Sequence, residues 1–416
     1  MMGFLVYSSM YAFRKPFAVA TFEGEGFLGL DLKVWLILAQ TLGYMASKFY
    51  GIKMISELRE SGRDWLILGL ISMAWLALLG FAVLPGPLRI LCFFLNGFPL
   101  GLIWGIVFHY MEGRKFTEMM GSMLAASFVF SSGFVKSVGA YLMQNWAVEE
   151  SWMPFLTGAI FFPLLIGSVF LLNHFPKPNG EDLALRSPRP PMGLSQRRKF
   201  FKEFRPGIML LILVYMMITG LRDLRDNFVV EIWNGLQVKA SPELLTQTEI
   251  PITLILLGLM SCLVLVKDNK KAFFLNHWII LIGSGLALMS TLALNSGWIG
   301  PFPWMVLVGM GIYMAYIPFN SLLFDRLIAA FRSVGNVGFL MYLADSFGYL
   351  GSCIILITKE FGGLGSLSWH TFYISSLLVF ISVSLVLMTG SFLYFQKKLK
   401  RQKKLIKQPL SLVNSL

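Results

Sequence analysis

Apolar residues in this chain run on for far longer than one face of a soluble helix requires, and charged residues are confined to the gaps and to a few isolated positions inside the runs. A helix needs about 20 mostly apolar residues to cross about 30 Å of hydrocarbon. Twelve stretches reach that length: 3–21, 33–54, 65–84, 88–110, 119–143 and 153–174, then 207–232, 249–266, 277–295, 302–324, 333–357 and 369–395. The pattern predicts an all-α integral membrane protein of about 12 transmembrane helices. The longest gap, 176–206, contains Pro176, Pro178, Pro188, Pro190 and Pro191 together with Arg197, Arg198, Lys199, Lys202 and Arg205, which is a linker composition. It separates a first half, 1–175, from a second, 207–396, and a basic tail follows at 397–416.

Loop charge sets the expected orientation, because Lys and Arg are retained on the cytoplasmic side. Arg59 and Arg63 follow span 2, Arg114 and Lys115 follow span 4, Lys267, Lys270 and Lys271 follow span 8, and Arg326 and Arg332 follow span 10. The alternate loops are acidic or neutral, with Glu23, Glu25 and Asp31 after span 1 and Glu149 and Glu150 after span 5. Both termini are therefore expected in the cytoplasm, with a bacterial plasma (inner) membrane as the expected location. The linker's cations read as a solvated positive-inside loop, with binding to anionic lipid as the other reading.

Composition narrows the function. The chain is 56% hydrophobic and 14% charged, so its main partner is the lipid bilayer, and its net charge of +13 sits in short loops and the tail rather than on a nucleic-acid-binding face. Cys92, Cys262 and Cys353 lie inside apolar runs without a metal or disulfide spacing, and His109, His174, His277 and His370 are each isolated. No metal, no other cofactor and no nucleic-acid partner are expected, and the chain is expected to work as a monomer. The first apolar stretch lacks a basic leader and a small-residue cleavage site, so it is expected to be retained, and a native start upstream of Met1 stays open.

The informative residues are the charges inside the spans, since each is costly in hydrocarbon and must face protein, water or an anion. At about 1.5 Å per residue, Arg14 lies near mid-membrane, with Glu23 and Glu25 marking the far surface. Two readings compete for it: a structural arginine satisfied by carboxylates or carbonyls, or an anion-binding group whose planar fork grips phosphate or carboxylate. Span 7 carries Arg222-Asp223-Leu224-Arg225-Asp226-Asn227. Helical spacing pairs Arg222 with Asp226, and it puts Arg225 and Asp226 near the outer end, within reach of water. Arg225 reads equally as an ion-paired gate or a substrate contact. Lys48 in span 2 either snorkels toward the basic end at Lys53 or stays inside. Lys136 in span 5 and Asp345 in span 11 read as partners in ion pairs whose exchange accompanies alternating access. Tyr7, Tyr11 and Tyr215 either line the same cavity or simply pack. Gly97, Gly101 and Gly105 recur every fourth residue in span 4, where they admit a neighbouring helix.

Two further patterns tie the halves together. Val6-Tyr7 precedes Arg14 by the same spacing as Val214-Tyr215 precedes Arg222, an internal repeat that superposes the first helix of each half. Six spans, a basic linker and six more spans is the layout of the major facilitator superfamily, with its two pseudo-symmetric six-helix bundles. Within it, Tyr11-Ala12-Phe13-Arg14-Lys15-Pro16-Phe17 resembles the first-helix stretch of the organophosphate:phosphate antiporters. Gly43-Tyr44 with Ser47-Lys48-Phe49 is similar to their second helix, and Asn96-Gly97-Phe98-Pro99 running on to His109-Tyr110 and Gly121 is similar to their fourth-helix region. The resemblance covers most of the first half. It implies that Arg14 and an arginine on helix 7 clamp phosphate with Lys48 nearby.

Several positions depart from that family. Ungapped alignment of Val214-Tyr215-Met216-Met217 sets Ile218 where the helix-7 arginine should fall, whereas the internal repeat selects Arg222. Phe128 stands near the family's helix-5 histidine, Pro16 replaces an Asn, and the loop signature after helix 2 survives as Glu57-Leu58-Arg59 with Gly62-Arg63. The expectation is a divergent carrier of a small organic anion such as an organic phosphate, with Arg14, Lys48, Arg222, Tyr7, Tyr11 and Tyr215 at the substrate and Asp223, Arg225, Asp226, Lys136 and Asp345 in gating or coupling. A proton-coupled symporter of another solute and a transporter-like sensor are the alternatives. No convergent nucleophile, base or metal set speaks for an enzyme.

Overall fold

Hydrophobic length alone carries the first span to residue 21, but Pro16 has no N–H to give the Ala12 carbonyl, and its ring would collide with it. In the computed structural model, which describes residues 2–56, 62–111, 117–174, 194–333, 335 and 337–407, the first helix α1 (Met2–Tyr11) accordingly stops early. The chain turns through Arg14 and resumes as a 3-10 turn at Pro16–Val19. The continuous span expected from hydropathy is thus two pieces with Arg14 between them. Carbonyls freed by the break are met by side chains from neighbouring helices. Asn96 Nδ2 donates to Phe13 O and to Ala74 O, both at 3.0 Å, and Gln40 Nε2 donates to Arg14 O at 3.1 Å and to Asn96 Oδ1 at 2.8 Å. Irregular backbone at membrane depth persists only where protein satisfies it in this way.

A two-residue hairpin, β1 (Gly26–Phe27) and β2 (Leu30–Asp31), follows, with Leu28 and Gly29 both at positive φ as a tight primed turn requires. The first half continues with α2 (Leu32–Ser56), α3 (Arg63–Val83), α4 (Leu88–Met111), α5 (Thr117–Trp146) and α6 (Met153–Asn173). The second consists of α7 (Leu194–Asn227), the short α8 (Val229–Gly235) and α9 (Pro242–Gln247), then α10 (Glu249–Val264), α11 (Asn269–Asn295), α12 (Pro301–Asn320), α13 (Leu323–Phe331), α14 (Val337–Phe361) and α15 (Trp369–Lys407). Ten of the described helices are long and apolar enough to cross a membrane. The first two of the expected spans are the exceptions, for different reasons: α1 is broken, and α2 spends its length on Gln40, Thr41, Ser47 and Lys48, all buried against protein.

Helix α7 begins at Leu194, so residues 194–206 of the linker interval are helical and extend α7 past its apolar run. Its basic start packs on the basic end of α15, where Lys398 Nζ donates to Glu203 O at 2.7 Å. Asp268 lies at the same end and caps α11; the N–H groups of Lys271 and Lys270 hold its carboxyl below the usual carboxylate range. This is the basic end of the bundle. At the other, acidic end, the Glu150 carboxylate accepts the backbone N–H of Thr21 at 3.0 Å and of Phe22 at 2.6 Å. Arg59, Arg114, Lys115, residues 175–193 of the linker and the tail beyond Lys407 lie outside the described residues.

Packing within the first half depends on glycine. A Cβ at Gly43 would overlap the Phe94 carbonyl, one at Gly97 the Gln40 carbonyl and one at Gly101 the Ser47 hydroxyl, so α2 and α4 touch backbone to backbone. That close approach is what brings Gln40 to Asn96, and both to the break in α1. Between the halves, α2 lies along α14 and α5 along α9 and α10. Gly97→Leu is expected to destabilise the protein by at least about 1–3 kcal/mol, the scale of core overpacking, read as a lowered Tm in detergent. Gly69→Leu, where an added Cβ meets nothing within 4 Å, should leave the Tm in place.

Candidate functional site

Because the α1 break ends its helical hydrogen bonding at Tyr11, the Arg14 side chain leaves the backbone where α2 and α14 face each other. Its guanidinium carbon lies 3.9 Å from the centroid of the Tyr44 ring, with Tyr349 at 5.9 Å and Tyr11 at 6.0 Å. Arg14 is buried, its Nε has no hydrogen-bond partner, and among the described residues no carboxylate lies within ion-pair distance of it. The aromatic faces offer part of the compensation that a carboxylate would otherwise supply.

Arg222 comes from the other half in a similar setting. Its guanidinium carbon is 4.1 Å from the Tyr316 centroid. Unlike Arg14 it has a carboxylate, since Nη2 and Nε donate to Asp223 Oδ1 at 2.6 and 3.2 Å, and Asp223 Oδ2 accepts Ser352 Oγ at 2.6 Å. The pair Arg222–Asp226 expected from helical spacing is therefore replaced by Arg222–Asp223. Asp226 faces the first half, where two lysines claim it.

Aromatic rings from both halves surround the arginines. Tyr44 and Tyr349 have centroids 4.8 Å apart across the interface, Tyr215 stacks on Tyr316 at 5.2 Å, and Phe128 packs edge-on to Tyr316 at 5.7 Å. Tyr7 contacts Tyr11 at 5.5 Å and Trp104 at 5.2 Å. Each half thus packs the tyrosine of its internal repeat, Tyr7 or Tyr215, on an aromatic ring of its fourth helix, Trp104 or Tyr316.

Lys48 does not snorkel. It is buried, with Nζ 3.1 Å from Asp345 Oδ2 on α14 and within 5.3 Å of the Tyr44 and Tyr342 centroids. Tyr215 OH donates to Asp345 Oδ1 at 2.5 Å, and Asn320 Nδ2 donates to Tyr215 OH at 3.0 Å. Lys48–Asp345 crosses from the first half to the second on the basic side of the arginines.

On the acidic side, Asp226 is shared by Lys15 and Lys136 and also accepts Ser132 Oγ. Lys15 donates to Asn227 Oδ1 at 2.9 Å, Lys33 pairs with Glu231 at 2.5 Å, and Ser137 Oγ donates to Pro242 O at 2.5 Å. All of these cross between the halves. Arg225 pairs within the second half, with Glu249 at 2.8 Å, and donates to Met305 O at 3.3 Å. The sequence expectation of water around Arg225 and Asp226 is corrected here: both are buried, Arg225 against Glu249 and Met305 and Asp226 against Lys15, Lys136 and Ser132 of the first half.

Sequence reasoning did not place Lys15, Lys33, Tyr44, Tyr316, Tyr349, Glu231 or Glu249 at the site. Tyr44 and Tyr349 were findable, each one helical turn from a buried charge, Lys48 and Asp345, and so on the same face. Lys33, Glu231 and Glu249 read as span ends and carried no signal of their own. Across this region the buried cations Arg14, Lys15, Lys33, Lys48, Lys136, Arg222 and Arg225 face Asp223, Asp226, Glu231, Glu249 and Asp345, so positive charge exceeds negative among the described residues. The surplus falls on Arg14 and on the two lysines that share Asp226.

A family model described as "Family of unknown function (DUF5690)" matches residues 16–398. No curated protein matches the sequence. Among solved structures the chain is similar to "Crystal structure of D-xylose-proton symporter", with a TM-score of 0.60 and 13% identity, over 94% of this chain and 95% of that one. The likeness is one of fold, the two six-helix halves of the major facilitator architecture.

Removing one partner of a buried ion pair strands the other charge, at a cost of about 3–5 kcal/mol. Asp226→Asn, which strands two lysines, is expected to lower the Tm in detergent well below that of Lys136→Met, which leaves Asp226 with Lys15. Equal Tm values for the two variants would contradict the shared-carboxylate geometry.

Proposed function

The chain belongs to the family of unknown function (DUF5690) whose model spans residues 16–398, and from that premise and the fold we propose that it is a secondary active transporter of a small organic anion, an organic phosphate in the sharpest form of the reading. The observation that carries this is Arg14, a buried guanidinium that no carboxylate neutralises, placed at a helix break and walled by tyrosines from both halves. An arginine in such a site has a vacant bidentate donor edge, and carboxylate or phosphate matches it. Arg222 and Lys48 supply the remaining positive charge, each held in reserve by a resident carboxylate, Asp223 or Asp345.

Transport then follows from charge balance. An anion between Arg14 and Arg222 joins the halves through opposite charge, and the uncovered Arg14 is the group that draws it in. The pairs at the acidic end, Asp226 with Lys15 and Lys136 and Lys33 with Glu231, hold that end shut. Opening it requires those contacts to separate while the basic end closes, a rocking of one half against the other around a fixed midplane site. Loop charge supports the acidic end as the external face of a bacterial inner membrane and both termini as cytoplasmic.

Counterflow in proteoliposomes with labelled inorganic phosphate, phosphate monoesters and carboxylates tests the reading. Arg14→Lys keeps the charge and loses the fork, and a charge-assisted hydrogen bond is worth about 1.5–3 kcal/mol. The variant should bind its anion about tenfold to a hundredfold more weakly. Unchanged affinity with robust counterflow in Arg14→Lys would refute the clamp, and absence of counterflow of every panel anion by the intact protein would refute the anion carrier.

A further inference from the structure

The surroundings of Asp345 carry the anion-carrier reading one step further, to how the site behaves when empty. Asp345 is buried on α14, and its two oxygens are divided between the halves: Oδ2 takes Lys48 of the first half and Oδ1 takes the Tyr215 hydroxyl of the second. The charged and titratable groups facing it are Lys48 and Tyr44 on α2, Tyr215 on α7, Tyr316 on α12 and Tyr342 one turn earlier on α14. Lys48 is the one cation that pairs with it among the described residues.

The other two aspartates on this interface are held differently. Asp226 has two lysines and a serine, and Asp223 has both Nε and Nη2 of its neighbour Arg222 and a serine. Loss of one lysine leaves Asp226 paired with the other, and Lys15 faces Asp223 in addition to Arg222. Loss of Lys48 leaves Asp345 with a single phenol.

We propose that Asp345 is a tethered stand-in for the cargo anion and the proton-coupling group of the carrier. In the empty site its carboxylate covers Lys48, as Asp223 covers Arg222, so the two halves can close on each other without cargo. An arriving anion competes for the same ammonium. Once Lys48 turns to the anion, a charged Asp345 facing only Tyr215 and a low-dielectric interior is costly, and it takes one proton from the open aqueous side. The neutral acid then donates its O–H to Tyr215 or Asn320, while Tyr215 remains within reach. Release of the anion on the other side returns Lys48 to Asp345, and the proton leaves with it. One proton enters with each anion, which leaves the site's charge unchanged for a monoanion, and the site returns empty with Lys48 paired. A carrier built this way performs net proton-linked uptake, where one whose Lys48 stayed uncovered in the empty site would be confined to exchange.

The test compares net uptake with exchange in the same proteoliposomes, using labelled inorganic phosphate and the labelled phosphate monoesters and carboxylates of the counterflow panel. For the intact protein, vesicles containing no anion and made alkaline inside should accumulate the anion that shows counterflow, faster than vesicles without a pH difference. In Asp345→Asn the ratio of net uptake to counterflow should fall by about tenfold or more, within the range of couplings between sites, and the response to the pH difference should vanish. Calorimetric titration of the detergent-solubilised intact protein with the same anion, in buffers of different ionisation heat, should give about one proton taken up per anion bound. That measurement decides the matter even where Asp345→Asn fails to fold. Binding without proton uptake, or an equal response to the pH difference in both proteins, would overturn the role of Asp345 and leave the anion carrier standing. Absence of counterflow for the whole panel would remove both.

Discussion

A guanidinium buried between the two halves, with no carboxylate beside it among the described residues, is the constraint around which the rest of this protein is arranged. Arg14 cannot lose its proton and cannot reach either surface, so the chain surrounds it with the next best acceptors, the faces of Tyr44, Tyr349 and Tyr11. These come from both halves, so meeting the needs of one side chain also defines the interface. Arg222 repeats the device on Tyr316 with one difference, its own carboxylate at Asp223. The asymmetry matters chemically: Arg222 has its charge covered by a carboxylate, whereas among the described residues Arg14 has aromatic faces alone, so the uncompensated positive charge sits at a definite place.

Holding Arg14 there has structural consequences that reach well beyond it. The turn at residues 12–15 exists because of Pro16, and a turn at that depth exposes carbonyls that only side chains can satisfy. Asn96 and Gln40 do so from α4 and α2. Those two helices must then approach more closely than ordinary side chains permit, which is the role of Gly43, Gly97 and Gly101. Proline, two amides and three glycines on separate helices therefore form one unit whose product is the position of a single arginine.

The inter-half contacts divide the same interface into two ends. On the acidic side the ties are many and overlapping, with Asp226 shared between Lys15 and Lys136 and Lys33 held by Glu231. On the basic side the pair Lys48–Asp345 lies against the tyrosine wall.

Much of this was legible without coordinates. Span lengths and the gap at 176–206 were enough for two sets of helices, because a membrane imposes one length on every crossing element, and Arg14, Lys48, Lys136, Arg222 and Asp345 stood out because charge in hydrocarbon is rare. What the sequence could not convey was pairing. Arg222 and Asp226 share a helix face and read as partners, yet Asp226 belongs to Lys15, in the turn after α1, and to Lys136 on α5, the nearer of them 90 positions away along the chain. Helical periodicity orders residues on one element and is silent about which face meets which neighbour. The chain by itself determined which charges interrupt apolar spans; only the packing of the two halves decided which carboxylate each cation meets, and that Arg14, unlike Arg222 and Arg225, meets none among the described residues.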